Sequence, residues 1–111
     1  IAAIYSGDFS FTSPTFSPDN DGYEDVLQVN YMLEKGGLLG HVQIFDNTGR
    51  PIKDLFQNQL LGSTGTFTWD GMDNGGQKSP IGAYVMVFEA FSTDGSVFFT
   101  KVKAFTLAGK I

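Results

Sequence analysis

One short polar segment of the sequence has the residue types and spacing of a metal-binding loop. Residues 19–25 read Asp-Asn-Asp-Gly-Tyr-Glu-Asp, which places five carboxylate or amide side chains around one glycine. Calcium binds about six to eight oxygen ligands in proteins, and a glycine permits the sharp turn that gathers them. Asp19, Asp21 and Asp25 are therefore the candidate calcium ligands, with a backbone carbonyl near Tyr23 as a fourth.

The same segment has a second interpretation. Its spacing is similar to the first half of an EF-hand loop, but the twelfth position is Asn30 instead of glutamate, and no flanking helices are predicted. Aspartate and asparagine side chains also accept hydrogen bonds from nearby backbone amides in solvated turns. The residues favour this turn interpretation slightly. Calcium stays open as an optional ligand, and the sequence requires no cofactor.

The remaining polar residues do not form a catalytic motif. The chain has no cysteine and one histidine, His41, which is expected to lie exposed or at a sheet edge, without a catalytic partner. Asp70 and Asp73 have the residue type of glycosidase carboxylates, but aspartate is common in turn-rich segments of this kind. Neither a nucleophile motif nor a phosphate-binding loop is present. We therefore expect no catalytic residues and a protein that is not an enzyme.

Composition limits the partners and the size of the fold. The 111 residues correspond to one domain, 1–111, with a single core. A net charge of −5 has the wrong sign for a nucleic-acid-binding surface. No apolar run approaches the ~18 residues of a membrane span. The chain begins at Ile1 without a signal peptide, so we expect an internal or C-terminal part of a longer protein. We also expect this module to be monomeric.

Alternation of apolar and polar residues predicts an all-β fold. Aromatic residues and glycines are abundant, and no segment has the apolar spacing of a helix. The strand over 83–91 is apolar on both faces and should be central, whereas Pro51 places its strand at an edge. The prediction is an antiparallel, immunoglobulin-like sandwich of two sheets without a disulfide bond. Seven strands are predicted, at 8–12, 25–33, 41–45, 50–55, 66–70, 83–91 and 97–107, with a connection over 56–65.

The same alternation predicts the core. Trp69 is expected to be a buried anchor between the two sheets. Tyr84 should bury its ring while its hydroxyl binds the backbone of a neighbouring turn. The predicted core comprises Leu27, Val29, Tyr31, Ile44, Phe67, Trp69, Tyr84, Met86 and Phe88.

Turns and edges have their own residue signals. Residues 46–49 predict a turn in which the final glycine takes a positive φ. Asp70 is expected to accept backbone N–H groups, and residues 74–75, Asn-Gly, are typical of a type I′ turn. Lys101 and Lys103 should lie on the solvent-exposed face of an edge strand, where their charges oppose edge-to-edge aggregation.

Three stretches carry a resemblance to known domains. They are residues 16–27, FSPDNDGYEDVL; residues 42–52, VQIFDNTGRPI; and residues 68–76, TWDGMDNGG, followed by PIGAY at 80–84. In this order they resemble the FlgD-like immunoglobulin-type domain. They are more similar still to the C-terminal domains associated with gliding motility and type IX secretion. The resemblance covers residues 16–107.

The resemblance implies a function. Such domains are non-catalytic C-terminal structural or sorting modules of exported or cell-surface bacterial proteins. Their implied partners are the other domains of the parent protein and the secretion or surface-anchoring machinery. The alternative is an extracellular accessory module that binds a carbohydrate or a protein. A carbohydrate-binding module should expose two or three coplanar aromatic rings, whereas a sorting module should bury its aromatic residues.

Overall fold

Short strands separated by turns make up the described part of the chain, which comprises residues 7–12, 15–16, 26–34, 36–94 and 98–108 of the computed structural model. No helix occurs among these residues, and so none there is long and apolar enough to cross a bilayer. The eight strands are β1 (Gly7–Phe11), β2 (Thr15–Phe16), β3 (Leu27–Leu33), β4 (Leu38–Asp46), β5 (Pro51–Leu61), β6 (Thr64–Trp69), β7 (Gly82–Phe91) and β8 (Phe98–Leu107).

The strands form two sheets. One has three strands in the order β1-β3-β6, and the other has five in the order β2-β8-β7-β4-β5. This confirms the predicted all-β sandwich of two sheets, with one strand more than the seven predicted. The additional strand is β2, which pairs in parallel with Thr106 and Leu107 of β8. Its two residues are too few to show an alternating pattern, and every other pair is antiparallel.

The positions predicted for two strands are confirmed. β7 lies between β8 and β4 in the five-stranded sheet. Its inward residues Tyr84, Met86 and Phe88 are buried, while Val85 and Val87 on the outer face are half-buried. β5, which begins at Pro51, is an edge strand of the same sheet. Proline is tolerated there because an edge strand leaves some backbone groups unpaired.

The prediction of a connection over 56–65 is wrong, because β5 continues to Leu61 and β6 begins at Thr64. The pairing of β5 with β4 shifts register three times. At one of these irregularities Asn58 has a φ of 52°, in the left-handed region. Each bulge moves the following side chains to the opposite face, so the strand loses the period of two on which the prediction depended.

The strand predicted from residue 41 begins earlier, at Leu38, so that Gly40 lies inside β4. A Cβ atom at this position would come within 2.6 Å of Leu61 Cδ1 on the neighbouring strand. The glycine therefore permits Leu61 to fill the space above the β4 backbone. Since this close approach is tertiary, the local sequence does not distinguish it from a turn.

The core lies between the sheets and is rich in aromatic rings. Seven of the nine predicted core residues are at most 4% exposed, and the other two, Tyr31 and Phe67, are partly buried and pack against them. Phe88 stacks on Phe9 with 5.5 Å between ring centroids, and Trp69 meets Tyr84 edge-on at 5.8 Å. Each such ring removes about 150–250 Å² from water. Contacts between rings of the two sheets therefore hold the sandwich together where many immunoglobulin domains have a disulfide.

Candidate functional site

Two of the three motif stretches, 42–52 and 68–76 with 80–84, meet at one end of the sandwich. The turn over 46–50 and the start of β7 line a cleft of about 220 Å³. The segment 70–80 is attached to β5 there, since the N–H of Asn74 donates to Ile52 O at 3.0 Å. The N–H of Asp54 in turn donates to Asn74 Oδ1 at 3.1 Å. We call this region, residues 46–52 and 70–84, the motif end.

Two turns at the motif end have the same hydrogen-bond scheme. Asp46 Oδ1 accepts the N–H groups of Thr48 at 2.9 Å and Arg50 at 3.0 Å. Asp73 Oδ1 likewise accepts the N–H groups of Gly75 and Gln77, both at 2.9 Å. In each turn the aspartate satisfies backbone donors two and four residues further along the chain. These carboxylates are therefore structural acceptors that close tight turns.

The glycines of these turns follow one backbone pattern. Gly49 has the predicted positive φ, 88°, and Gly76 occupies the equivalent position with a φ of 80°. The type I′ prediction for Asn74 and Gly75 is wrong, because neither residue has a positive φ. The N–H of Gly76 donates to Asp73 O at 3.0 Å, as in a type I turn followed by a left-handed glycine. The left-handed residue of this turn is therefore Gly76, one position after the predicted Asn-Gly pair.

The predicted roles of three motif residues are confirmed. Trp69 is 1% exposed, and its Nε1–H donates to Met72 O at 2.9 Å. Asp70 Oδ1 accepts the N–H of Met72 at 3.0 Å. The hydroxyl of Tyr84 donates to Pro80 O. Burial raises the pKa of this phenol, and the negative charge of Asp46 adds to the rise.

Asp46 gives a testable electrostatic prediction. The Thr48 hydroxyl donates to Asp46 Oδ1 at 2.6 Å, and this bond, followed by the Arg50 N–H, lowers the pKa of the carboxyl group. Because the pKa of Asp46 is lower in the folded than in the unfolded chain, its carboxylate stabilises the fold at pH values above the ordinary pKa of about 3.9. This contribution is lost as the pH falls through the folded-state pKa. We expect Thr48→Val to move the pKa of Asp46 back towards the ordinary value, measured by NMR titration of the carboxyl carbon. An unchanged pKa would contradict the assignment, and Asp8, far along the chain on β1, serves as the internal control.

Asp8 anchors a contact between the two sheets. Lys103 Nζ lies 2.9 Å from Asp8 Oδ1 and Lys101 Nζ lies 3.5 Å from it. The Lys103 hydrogen bond is the main reason that the pKa of Asp8 is lowered. Lys103 Nζ also lies 5.4 Å from the centroid of the Phe9 ring, within range of a cation–π interaction.

The two lysines differ in one respect from the prediction. They do lie on an open stretch of β8, because β2 pairs only with Thr106 and Leu107. They project from the inward row of β8, however, the row to which the buried Phe99 and Phe105 belong. Inward-pointing charges at a sheet margin oppose the addition of another strand, so the predicted protective role gains a geometric basis.

His41 also differs from the prediction. It lies within β4 and is half-buried, with 25% of its side chain exposed. Its Nε2 is 3.8 Å from Asp54 Oδ1, and its Nδ1 is 4.0 Å from Glu89 Oε1. The two carboxylates therefore stand at opposite nitrogens of the ring and do not converge on one point. The sequence did not reveal either carboxylate, because β5 shifts register beside His41 and Glu89 comes from β7, the other neighbour of β4.

The predicted calcium ligands Asp19, Asp21 and Asp25 lie outside the described residues. The described residues next to this segment include Phe16 and Leu27, both of which are buried in the core. Within the described ranges, no group of three or more His, Cys, Asp or Glu side chains is arranged to bind a metal ion.

Comparisons with known proteins identify the family. A family model described as the CHU_C type IX secretion signal domain matches residues 10–101. The fold is similar to a part of dimeric latent PorU from Porphyromonas gingivalis, with a TM-score of 0.72 and 19% identity over 97% of this chain and 10% of PorU. It is also similar to FlgD from P. aeruginosa, with a TM-score of 0.59 and 17% identity over 89% of this chain and 66% of FlgD. No curated protein matches the chain at a significant level.

The family match and the fold agree. The chain spans about a tenth of the length of PorU, so the structural similarity concerns one domain of that protein. Type IX secretion signal domains are a non-catalytic class of sorting domain. They mark their parent proteins for the cell surface or for release, and they associate with the parent protein and with secretion machinery. The matched residues include β3 to β7 and the whole motif end, and the chain belongs to the CHU_C type IX secretion signal domain family.

Proposed function

We propose that residues 1–111 fold as one autonomous, monomeric module that directs a larger protein through type IX export and has no catalytic activity of its own. The family match over 10–101 carries this proposal. The ordered motif end supports it, because its polar residues are used to close turns and to fix Trp69 and Tyr84. The module would then act through its folded surface.

The surroundings of His41 support a non-catalytic role. His41, the only histidine, has a carboxylate beside each ring nitrogen, Asp54 at 3.8 Å and Glu89 at 4.0 Å. This arrangement differs from a hydrolase triad, in which one ring nitrogen faces a nucleophile.

The burial of the aromatic residues does not favour a carbohydrate-binding module. Among the described residues, Phe98 is the one aromatic side chain that is strongly exposed, at 59%. A sugar-stacking surface needs two or three such rings in one plane. Trp69, which has the residue type for such a surface, is 1% exposed.

The sheet edges support a monomer. β5 combines Pro51 with three shifts of register, and bulges of this kind twist an edge away from incoming strands. Lys101 and Lys103 project from the inward row of β8 and oppose the addition of another strand at its open part. Both margins of the five-stranded sheet therefore oppose pairing with a second copy, and the net charge of −5 adds general repulsion.

Export of a fused reporter tests the proposal. We expect a secreted reporter enzyme fused ahead of residues 1–111 to reach the cell surface or the medium of a bacterium with a type IX system. The same fusion should stay within the cell envelope of an isogenic strain that lacks the secretion pore. Reporter activity outside the cells in both strains, or in neither, would contradict the sorting function. The reporter without the module is the matched control.

We also propose that Asp19, Asp21 and Asp25 bind calcium as an optional ligand. Three aspartates within seven residues support this assignment, since their carboxylates repel one another unless a cation neutralises them. The competing turn interpretation is supported by Asp46 and Asp73, which show how this chain uses aspartates to accept backbone N–H groups. A calcium titration of the purified domain distinguishes the two.

A further inference from the structure

The outer faces of the two sheets have opposite character. The outer face of the three-stranded sheet is mainly polar, with Asn30 of β3 hydrogen-bonded to Thr66 of β6 at 2.9 Å, although Met32 of β3 is 66% exposed there. Thr64 and Thr68 continue this row of exposed threonines along β6. The outer face of the five-stranded sheet is mainly apolar. One face therefore has the composition of a solvated surface and the other that of a contact surface.

Two apolar areas occupy the outer face of the five-stranded sheet. Strand pairing places four large apolar residues side by side across four strands, with Leu60 and Phe98 at the two ends 67% and 59% exposed. The other area is centred on Val102, which is 54% exposed and pairs with Val87. The first row comprises Leu60, Leu39, Phe91 and Phe98, and the second area comprises Phe45, Val85, Val87, Val102 and Ala104.

An acidic pair without a strong cationic partner lies between these areas. Asp54 and Glu89 flank His41, and their side chains are 36% and 29% exposed. Within the described ranges, no lysine or arginine nitrogen lies within 4.0 Å of either carboxylate. Arg50 pairs with Asp46, and both β8 lysines pair with Asp8. Asp54 accepts hydrogen bonds from Gln43 Nε2 at 2.8 Å and Gln57 Nε2 at 3.1 Å, which are neutral donors and leave its charge in place. The centre of the apolar face therefore carries negative charge that no described lysine or arginine neutralises.

The size of the face and its charge indicate the kind of occupant. Four strands at ~4.8 Å spacing and about seven residues at ~3.3 Å give a footprint of roughly 400 Å². A stable complex buries about 800 Å² on each partner, so this face suits a weak and transient contact. A second copy of the chain would bring two acidic pairs together, which is unfavourable. A partner surface that combines apolar side chains with lysine or arginine is complementary.

We propose that the outer face of the five-stranded sheet is the docking surface for a component of the export machinery, through an apolar patch that bears a basic residue opposite Asp54 and Glu89. This inference rests on the proposed sorting function. A short-lived contact fits a sorting step, because the machinery must release each exported protein. Docking through this face is also consistent with the protected margins of the five-stranded sheet, which oppose recognition by strand addition there.

Site-specific photocrosslinking in secreting cells tests the proposal. A photoreactive phenylalanine analogue is placed at Val102, on the apolar face, or at Thr66, on the polar face, in the complete chain fused to the secreted reporter. We expect a discrete adduct from Val102 and none from Thr66. In the double variant Asp54→Asn/Glu89→Gln, the yield of the adduct from Val102 should fall about tenfold, because binding loses a modest ion-pair contribution. Melting curves of the purified variants confirm that they fold.

The outcomes separate this inference from the sorting function. An adduct with the mass of two fused chains would identify the partner as a second copy of the chain and would overturn the proposal. Equal adducts from Thr66 and Val102, or a yield unaffected by the double variant, would also overturn it. If the unmodified fusion is exported but Val102 gives no adduct, the docking surface is wrong and the sorting function stands. If that fusion is not exported at all, both are wrong.

Discussion

Trp69→Ala is expected to lower the free energy of unfolding by about 3–5 kcal/mol, a large part of the ~5–15 kcal/mol typical of a domain. The indole is 1% exposed and lies against Phe16, Tyr84 and Phe105, with ring centroids 5.6–5.8 Å apart. Its removal leaves a cavity in the core and also leaves Met72 O without its indole donor. Urea denaturation followed by far-ultraviolet circular dichroism measures the loss, since the variant has no other tryptophan to report by fluorescence.

Phe98→Ala is the matched control for this experiment. Phe98 is also aromatic but is 59% exposed on the outer face, so its replacement should change stability by no more than about 0.5 kcal/mol. If Trp69→Ala cost less than about 1 kcal/mol, the indole would not be the anchor of the core. The difference between the two variants separates burial from aromatic character.

Features with a simple period were predictable from the sequence. β7 alternates Tyr84, Met86 and Phe88 with valines, and a strand that is apolar on both faces is typical of the middle of a sheet, where β7 lies. Pro51 marked an edge because it lacks a backbone donor. Trp69 and Tyr84 were assigned correctly because large aromatic residues in alternating strands have few alternatives to the core.

Features that depend on contacts distant in sequence were not predictable in the same way. β5 was cut short in the prediction because its bulges interrupt the alternation, and Asn58 with its positive φ is not distinguishable locally from a turn residue. β4 was predicted to begin only after Gly40, although Leu61 on the neighbouring strand is what requires this glycine. Both errors arise where the partner strand determines the conformation.

The candidate site shows the same division. The separate roles of Asp70 and Tyr84 were predicted from local chemistry, but the meeting of two motif stretches at one end depends on the topology of the sandwich. The carboxylates beside His41 come from β5 and β7, which lie on either side of β4. A single sequence does not specify that pairing, so the acidic centre of the apolar face became visible only in the structure.

Calcium is expected to raise the melting temperature of the domain if Asp19, Asp21 and Asp25 bind it. A ligand that binds only the folded state stabilises by RT ln(1 + [L]/Kd). Extracellular calcium sites often have dissociation constants of about 10⁻⁴–10⁻³ M, so millimolar calcium should add on the order of 1 kcal/mol. In a domain of 111 residues this corresponds to a rise of roughly 3–6 °C.

Melting curves of EDTA-treated protein at constant ionic strength measure this effect. Asp21→Ala should abolish the rise, and magnesium should not reproduce it, because magnesium retains its water ligands more strongly. Asp73→Ala is the matched control, since that aspartate serves a turn within the motif end and its loss should lower the melting temperature equally with and without calcium. If the unsubstituted domain melts identically in both conditions, the three carboxylates serve turn chemistry alone, as Asp46 and Asp73 do.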